Sequence, residues 1–216
     1  VRRLLGRVEH QCARTPAEKE IVLGIRREAD SRRGVVDLRA DSNWQDEAFD
    51  EAPNAWMLTT FIDGAPATTL RIHVAAHEGD RLPSLENFPN AIRPHIRKGG
   101  VILDMTRLAA RLEFARKFPE LPYLALRPAW LAAEYFGADF VLATVAAEQQ
   151  DFYRRAFGYE PWGQSFGSPG FSRAMACMGF EFPATKERIE ALHPFLRSSE
   201  RERDWLFRGS ARRVAC

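Results

Sequence analysis

Apolar runs of strand length alternate along this chain with segments whose apolar positions recur at helical spacing. Residues 16 to 32, PAEKEIVLGIRREADSR, predict a helix. Thr15 suits the N-cap, Pro16 the first helical position and Gly34 the stop, while Ile21, Val22, Leu23 and Ile25 give an apolar face. Residues 35 to 38 read as a short extended piece, and residues 41 to 53 as acidic and irregular. Residues 55 to 62 and 67 to 74 are apolar strands on either side of Asp63-Gly64, a hairpin turn signal. Between 79 and 98, Gly79, Pro83, Pro89 and Pro94 leave room only for short helical turns. A strand follows at 101 to 106, then a helix at 122 to 137 with Leu124, Leu131, Ala132 and Phe136 inward and Gly137 as stop. Residues 140 to 145 form a buried strand, and a short helix with Phe152-Tyr153 ends at Gly158. A strand at 171 to 182 precedes a final helix opened by Pro183, with Ile189, Leu192 and Phe195 on one face.

This alternation predicts an α/β (α+β) domain with a central mixed sheet flanked by helices. No period of 20 to 50 residues repeats, so a solenoid is excluded. The expected domain covers residues 1 to 198, and the Arg-rich segment 199 to 216 reads as a charged tail or as a basic surface helix docked through Trp205 and Leu206. A formal charge of +2 offers no dense cationic face for nucleic acid. Three scattered cysteines, Cys12, Cys177 and Cys216, fit neither a disulfide framework nor a zinc site and suggest a reducing cytoplasm. The first residues carry charge without an apolar core, unlike a signal peptide, and no apolar run of spanning length predicts an integral membrane protein. His73 and His77 lie on a predicted strand and its end, so helical two-histidine metal geometry does not apply, and no metal site is expected.

The segment Ala147 to Gly163, AEQQDFYRRAFGYEPWG, following the apolar strand 140 to 145, resembles the closing half of the GNAT-type N-acyltransferase fold. The N-terminal half is similar to the autoinducer-synthase and long-chain N-acyl amino acid synthase branch of that superfamily. The matching pieces are Ile25-Arg26-Arg27, Glu47 and Asp50, Leu70-Arg71-Ile72, and Asp104 through Arg107. The resemblance covers roughly residues 18 to 163. It implies a mostly antiparallel sheet with a V-shaped cleft between two parallel central strands. It also implies transfer of an acyl chain from a thioester, on an acyl carrier protein or coenzyme A, to a small amine such as an amino acid. No tightly bound cofactor is implied; the acylated phosphopantetheine is a co-substrate.

Within that resemblance Asp104 is the expected general base, acting through water, and Tyr153 the group facing the leaving sulfur. Arg26, Glu47, Asp50, Arg71, Thr106 and Arg107 are the expected substrate-binding set. Three departures matter. The stretch after the long strand, Arg107 to Lys117, has no glycine to shape a pyrophosphate cradle, whereas Arg111, Arg116 and Lys117 suit an acidic carrier protein. The region between the first helix and the acidic pair lacks the aromatic and tryptophan of autoinducer synthases, with Ala29, Asp30 and Val36 there and Trp44 too close to Glu47; this disfavours S-adenosylmethionine as acceptor. Asp104 stands where glutamate is usual. Rival functions are an acyl-homoserine-lactone synthase and a non-catalytic acyl-ligand sensor. Each residue also has a plainer role: Tyr153 as core, Asp104 as a bridge to Arg71 or Arg107, Glu47 and Asp50 as solvated loop residues or a cap, and the three cations as a solvated face.

Overall fold

The computed structural model describes residues 2–32, 48–163, 166–167 and 174–208. Its centre is an eight-stranded sheet in the order β1-β2-β3-β4-β5-β8-β6, with β7 beside β8. The strands are β1 (Val8–Cys12), β2 (Ala55–Ile62), β3 (Ala65–Ala75), β4 (Ile102–Ala110), β5 (Phe140–Ala146), β6 (Glu160–Pro161), β7 (Phe166–Gly167) and β8 (Ala174–Glu181). Every pairing is antiparallel except β4 with β5. The β2–β3 hairpin turns on Asp63 and Gly64, both at positive φ, 52° and 76°, as a type I′ turn requires.

Successive side chains alternate between the two sheet faces, so each strand serves two layers. Trp56, Leu58, Leu70, Ile72, Leu103, Met105, Val141, Ala143 and Met178 form the main core on one face. Helix α6 (Leu121–Tyr135), α7 (Gln150–Phe157), α8 (Phe182–Leu192) and α9 (Glu200–Phe207) supply Trp130, Leu131, Tyr153, Ile189 and Phe207 to it. On the opposite face α2 (Pro16–Arg32) packs Ile25 and Ala29 on Ala109. There α3 (Pro83–Asn87) and α4 (Pro89–Arg97) cover Ile102, Leu142 and Cys177 with Leu82, Ile92 and Ile96. Short α1 (Arg2–Leu5) seats Leu4 beside Leu121 and Leu124, and α5 (Leu112–Lys117) follows β4.

Several sequence expectations change. Strand β1 was not expected; its inward positions include His10, so the alternation is masked by polar residues. β4 runs past 106 to Ala110, and part of the expected loop to Lys117 is helix α5. Helix α4 persists through Pro94 because Ile92 and Ile96 are buried. The extended piece at 35 to 38 lies outside the described residues. The segment after 198 is not a free tail over its first part. Helix α9 is capped by Ser199 and buries Leu206, one of the two expected anchors, together with Phe207, while Trp205, the other, is 62% exposed.

Buried Arg127 of α6 holds that helix in place. Its Nη1 donates to Glu202 Oε1 at 2.6 Å, its Nε to the Phe195 carbonyl at 2.7 Å and its Nη2 to the Arg197 carbonyl at 3.2 Å. Arg14, just past β1, donates to the Leu206 carbonyl at 3.1 Å. Phe207 packs on Tyr135 and Phe136 with ring centroids 5.3 and 5.4 Å apart. Phe207→Ala is therefore expected to cost about 3–5 kcal/mol, as for other buried aromatic truncations. Trp205→Ala should leave the urea midpoint nearly unchanged. Equal midpoints for the two variants would detach α9 from the core.

Candidate acyl-transfer site

The site is organised by an irregularity in β4. Thr69 pairs with Ala109 and Arg71 with Thr106, so three steps of β4 oppose two of β3. The extra residue is a bulge at Arg107, whose φ is +56°, a left-handed conformation that an arginine rarely adopts. A bulge bends its strand, and the parallel β4–β5 ladder ends there: the pairs run from Ile102↔Phe140 to Met105↔Ala143. Beyond Met105 and Ala143 the strands are no longer paired with each other, which is where the expected V lies.

On the α2 side of this V lies a chain of buried charges. Arg26 Nη1 donates to Asp50 Oδ2 at 2.6 Å, and Arg71 Nη1 donates to Asp50 Oδ1 at 3.1 Å. Arg71 Nε continues to Thr106 Oγ1 at 3.0 Å. Residues far apart in sequence thus meet because Arg26 faces inward on α2, and Arg71 and Thr106 are directly paired on β3 and β4. Burial works to raise the Asp50 carboxyl; Arg26 and Arg71 outweigh it and hold it below the usual range. Burial also lowers Arg26, against the pull of Asp50, to about 10. Arg107 is turned to α2, where its Nη2 meets Asp30 Oδ2 at 3.0 Å. Glu47 lies outside the described residues. His73, the residue opposite Asp104, is a buried core histidine held neutral, its pKa lowered to about 3 by desolvation and then by Arg71. Its Nε2 lies 3.0 Å from the Phe49 carbonyl oxygen.

Asp104 is fully buried on the same face. Its carboxylate does not bridge Arg71 or Arg107. The Ser84 backbone N–H donates to Oδ2 and the Ser84 hydroxyl to Oδ1, both at 2.8 Å. Ser84 Oγ also lies 2.7 Å from Thr144 Oγ1. Desolvation raises the Asp104 carboxyl to about 6 against the Ser84 hydrogen bonds and the field of Arg71. Sequence inspection missed Ser84 and Thr144. The only signal was Pro83-Ser84 itself, a helix start whose first amides lack helical partners.

Tyr153 sits on the opposite face of the sheet, on α7, buried and edge-on to Tyr159 at 5.3 Å. Burial pushes its hydroxyl well above the ordinary phenol range. Tyr159 in turn donates to Met105 Sδ at 3.7 Å. An apolar void of about 10 Å³ lies behind the cleft among Met105, Leu126, Trp130, Val141, Phe157 and Tyr159. A surface hollow of about 510 Å³ beside α7, lined by Tyr123, Phe152, Arg155 and His193 among others, contains none of the expected site residues.

The three cations expected to meet a carrier protein separate. Arg111 Nε lies 3.8 Å from Glu28 Oε2, while Arg116 and Lys117 are exposed. The Arg111 amide donates to the Ala67 carbonyl at 2.9 Å and the Leu112 amide to Glu28 Oε1 at 3.3 Å. Among the described residues no group of three or more His, Cys, Asp or Glu is placed to hold a metal ion, and no helix is long and apolar enough to cross a membrane.

The buried network makes a stability statement. Asp50→Asn removes the charge facing two buried guanidiniums and should cost about 3–5 kcal/mol, the usual penalty for breaking a buried ion pair. Because the Asp50 carboxyl is lowered on folding, its contribution is present above the unfolded carboxylate pKa and is lost as pH falls through the folded value. Glu51→Gln, at the partly exposed Lys19 pair, should barely move the denaturation midpoint. A wild-type midpoint for Asp50→Asn would remove the network from the stability account.

The family model of FeeM, the N-acyl amino acid synthase, matches residues 22–181. Among curated protein sequences none matches the chain. The structure of FeeM, an N-acyl amino acid synthase from uncultured soil microbes, superposes with a TM-score of 0.71 at 13% identity, covering 86% of this chain and 98% of that one. The AHL synthase LasI gives 0.60 at 14% identity over 89% of this chain and 97% of that one. An acyl-CoA N-acyltransferase from Pseudomonas aeruginosa gives 0.53 at 17% identity over 80% and 97%. These likenesses establish the GNAT-type fold. With three quarters of its length inside one family model, the chain belongs to the FeeM family of N-acyl amino acid synthases and is an N-acyltransferase.

Proposed function

We propose that this protein moves an acyl chain from an acyl carrier protein thioester to the amine of an amino acid, with the thioester seated in the V between β4 and β5. The observation that carries this reading is the end of the β4–β5 ladder beside a buried carboxylate and a cationic network on the α2 side. Backbone groups beyond Met105 and Ala143 are free of ladder bonds to each other, so a pantetheine arm can pair there as an added strand. The same edge offers N–H groups to the oxyanion that develops on the thioester carbonyl. Arg71, Arg107 and Thr106 line the side where an amino acid carboxylate would be met.

The two faces of the sheet divide the proton chemistry. Asp104, titrating near 6, is mostly ionised at neutral pH and serves as base for the ammonium. Tyr153, raised by burial, keeps its proton and serves as donor to the departing sulfur from the other side. The rate should accordingly rise as pH passes through about 6 in the wild type and lose that rise in Asp104→Asn.

A carrier protein is favoured over coenzyme A because the amides of Arg111 and Leu112 are already engaged, leaving exposed Arg116 and Lys117 to meet an acidic surface. The deciding experiment offers the purified protein one acyl chain on both carriers, with amino acids and S-adenosylmethionine as acceptors, and identifies products by mass spectrometry. Acyl amino acids support the proposal. Acyl lactones would transfer it to the autoinducer-synthase chemistry, and no product from any pair would leave a silent acyl-binding fold.

Two variants refine it. Tyr153→Phe should lower kcat by about ten- to a thousandfold with donor KM unchanged, since its hydroxyl matters as the thiolate forms. An unchanged kcat, with chemistry rate-limiting, returns Tyr153 to packing. Reversing Arg116 and Lys117 should raise KM for the carrier-bound donor far more than for acyl-coenzyme A, and the difference should fade with salt. Equal losses for both donors would indicate a shared phosphate site instead.

A further inference from the structure

We infer that Thr144 and Ser84 form a hydroxyl relay that carries the acceptor's proton from the cleft to Asp104. The inference rests on the acyl-transfer reading above and deepens it. Asp104 cannot touch a substrate. It is fully buried, and both its oxygens are covered by Ser84, itself buried. Ser84 Oγ reaches outward to Thr144 Oγ1 at 2.7 Å. Thr144 is the first β5 residue past the end of the β4–β5 ladder, shares the sheet face of Asp104, and is only half-buried. The string therefore runs from the inner end of the V to the carboxylate with each step at hydrogen-bond distance.

The other groups facing Asp104 do not offer a second route. On β3, Arg71 is engaged with Asp50 and Thr106, and His73, directly opposite, is held neutral with its Nε2 at the Phe49 carbonyl. On β8, Cys177 pairs with Thr144 in register and its thiol meets Ser84, but burial and then the Asp104 charge push that thiol far above the ordinary range, so it keeps its proton. From the opposite face Tyr159 is turned to Met105.

Each hydroxyl has one proton, so the string has two polarities. With Asp104 ionised, Ser84 donates to it, Thr144 donates to Ser84, and a Thr144 lone pair faces the cleft. An ammonium there gives one proton to Thr144 as Thr144 passes its own to Ser84 and Ser84 passes its own to Asp104. The neutral amine then forms the N–C bond. As the C–S bond breaks, its electron pair leaves on sulfur, which takes the Tyr153 proton, and the proton that the nitrogen loses on becoming an amide restores the Tyr153 hydroxyl. The proton on Asp104 returns to water by the reversed string after product leaves. Thr144 is thus the contact residue, and Ser84 positions and connects.

Two measurements on the full chain test this, one of them independent of turnover. In the first, the carboxyl band of Asp104, identified by its loss in Asp104→Asn, is followed by time-resolved infrared after a jump from pH 5 to 8. Deprotonation should slow by about tenfold or more in Thr144→Val and recover in Thr144→Ser, because only the hydroxyl differs between a broken and an intact relay. In the second, Thr144→Val should lose the rise in kcat through the Asp104 titration with donor KM unchanged, and Thr144→Ser should keep it. Circular dichroism and the denaturation midpoint establish that each variant is folded; Thr144→Ala is the substitute if Val disturbs β5. Wild-type deprotonation kinetics in folded Thr144→Val overturn the relay whether or not the protein turns over. Absence of wild-type turnover with a slowed infrared response would instead strike the acyl-transfer reading and leave the relay standing.

Discussion

The bulge at Arg107 is the constraint on which the site depends. A parallel strand pair left to itself would continue its ladder, since each unpaired amide in the interior is costly. One extra residue in β4 interrupts that continuation: the pairing stops after Met105 and Ala143, just before the bulge. An arginine at φ +56° stores strain, and such strain persists only where surroundings over-determine it. Here Arg71 grips Thr106 on one side of the bulge, and Asp30 holds the Arg107 guanidinium on the other. The cationic network therefore shapes the cleft as well as charging it. Arg71 and Asp50 would still be needed for geometry if no substrate touched them.

The two faces of the sheet differ in chemistry because the strand period is two. Leu70, Ile72, Leu103 and Met105 build the apolar core, and their neighbours Arg71, His73, Asp104 and Thr106 build a polar layer under α2 and α3. That layer has its hydrogen bonds arranged from helices that come from distant parts of the sequence. Asp104 is satisfied by one serine, Asp50 by two arginines. The distinction sets their titration apart: two guanidiniums outweigh burial at Asp50, whereas a neutral hydroxyl and amide do not at Asp104.

Much of the fold was readable where local signals agree. Asp63-Gly64 between apolar runs gave the hairpin, and the run at 140 to 145 gave β5. The arginines and aspartates of the site were readable only through family resemblance, since nothing local distinguishes Arg26 from Arg27 beyond its place on the apolar face of α2. What escaped was non-local or disguised. β1 hid its alternation behind His10, and the bulge has no glycine to betray it. Ser84 lies in a proline-rich stretch whose partner is a strand twenty residues on. At α9 the aromatic in the core is Phe207 rather than the larger Trp205, because helical phase and not size decides which ring faces inward.

The Arg14 contact to Leu206 joins the beginning of the described chain to its end, and the Arg127 clamp ties the same last helix to α6. The Arg14 contact can form only after residue 206 is available, and the entropy of closing so long a loop precedes any reward. During synthesis the β2–β3 hairpin can assemble early, while the Tyr135–Phe136 surface waits uncovered for Phe207. The interval between those events is when this protein would be most exposed to aggregation and most dependent on chaperones.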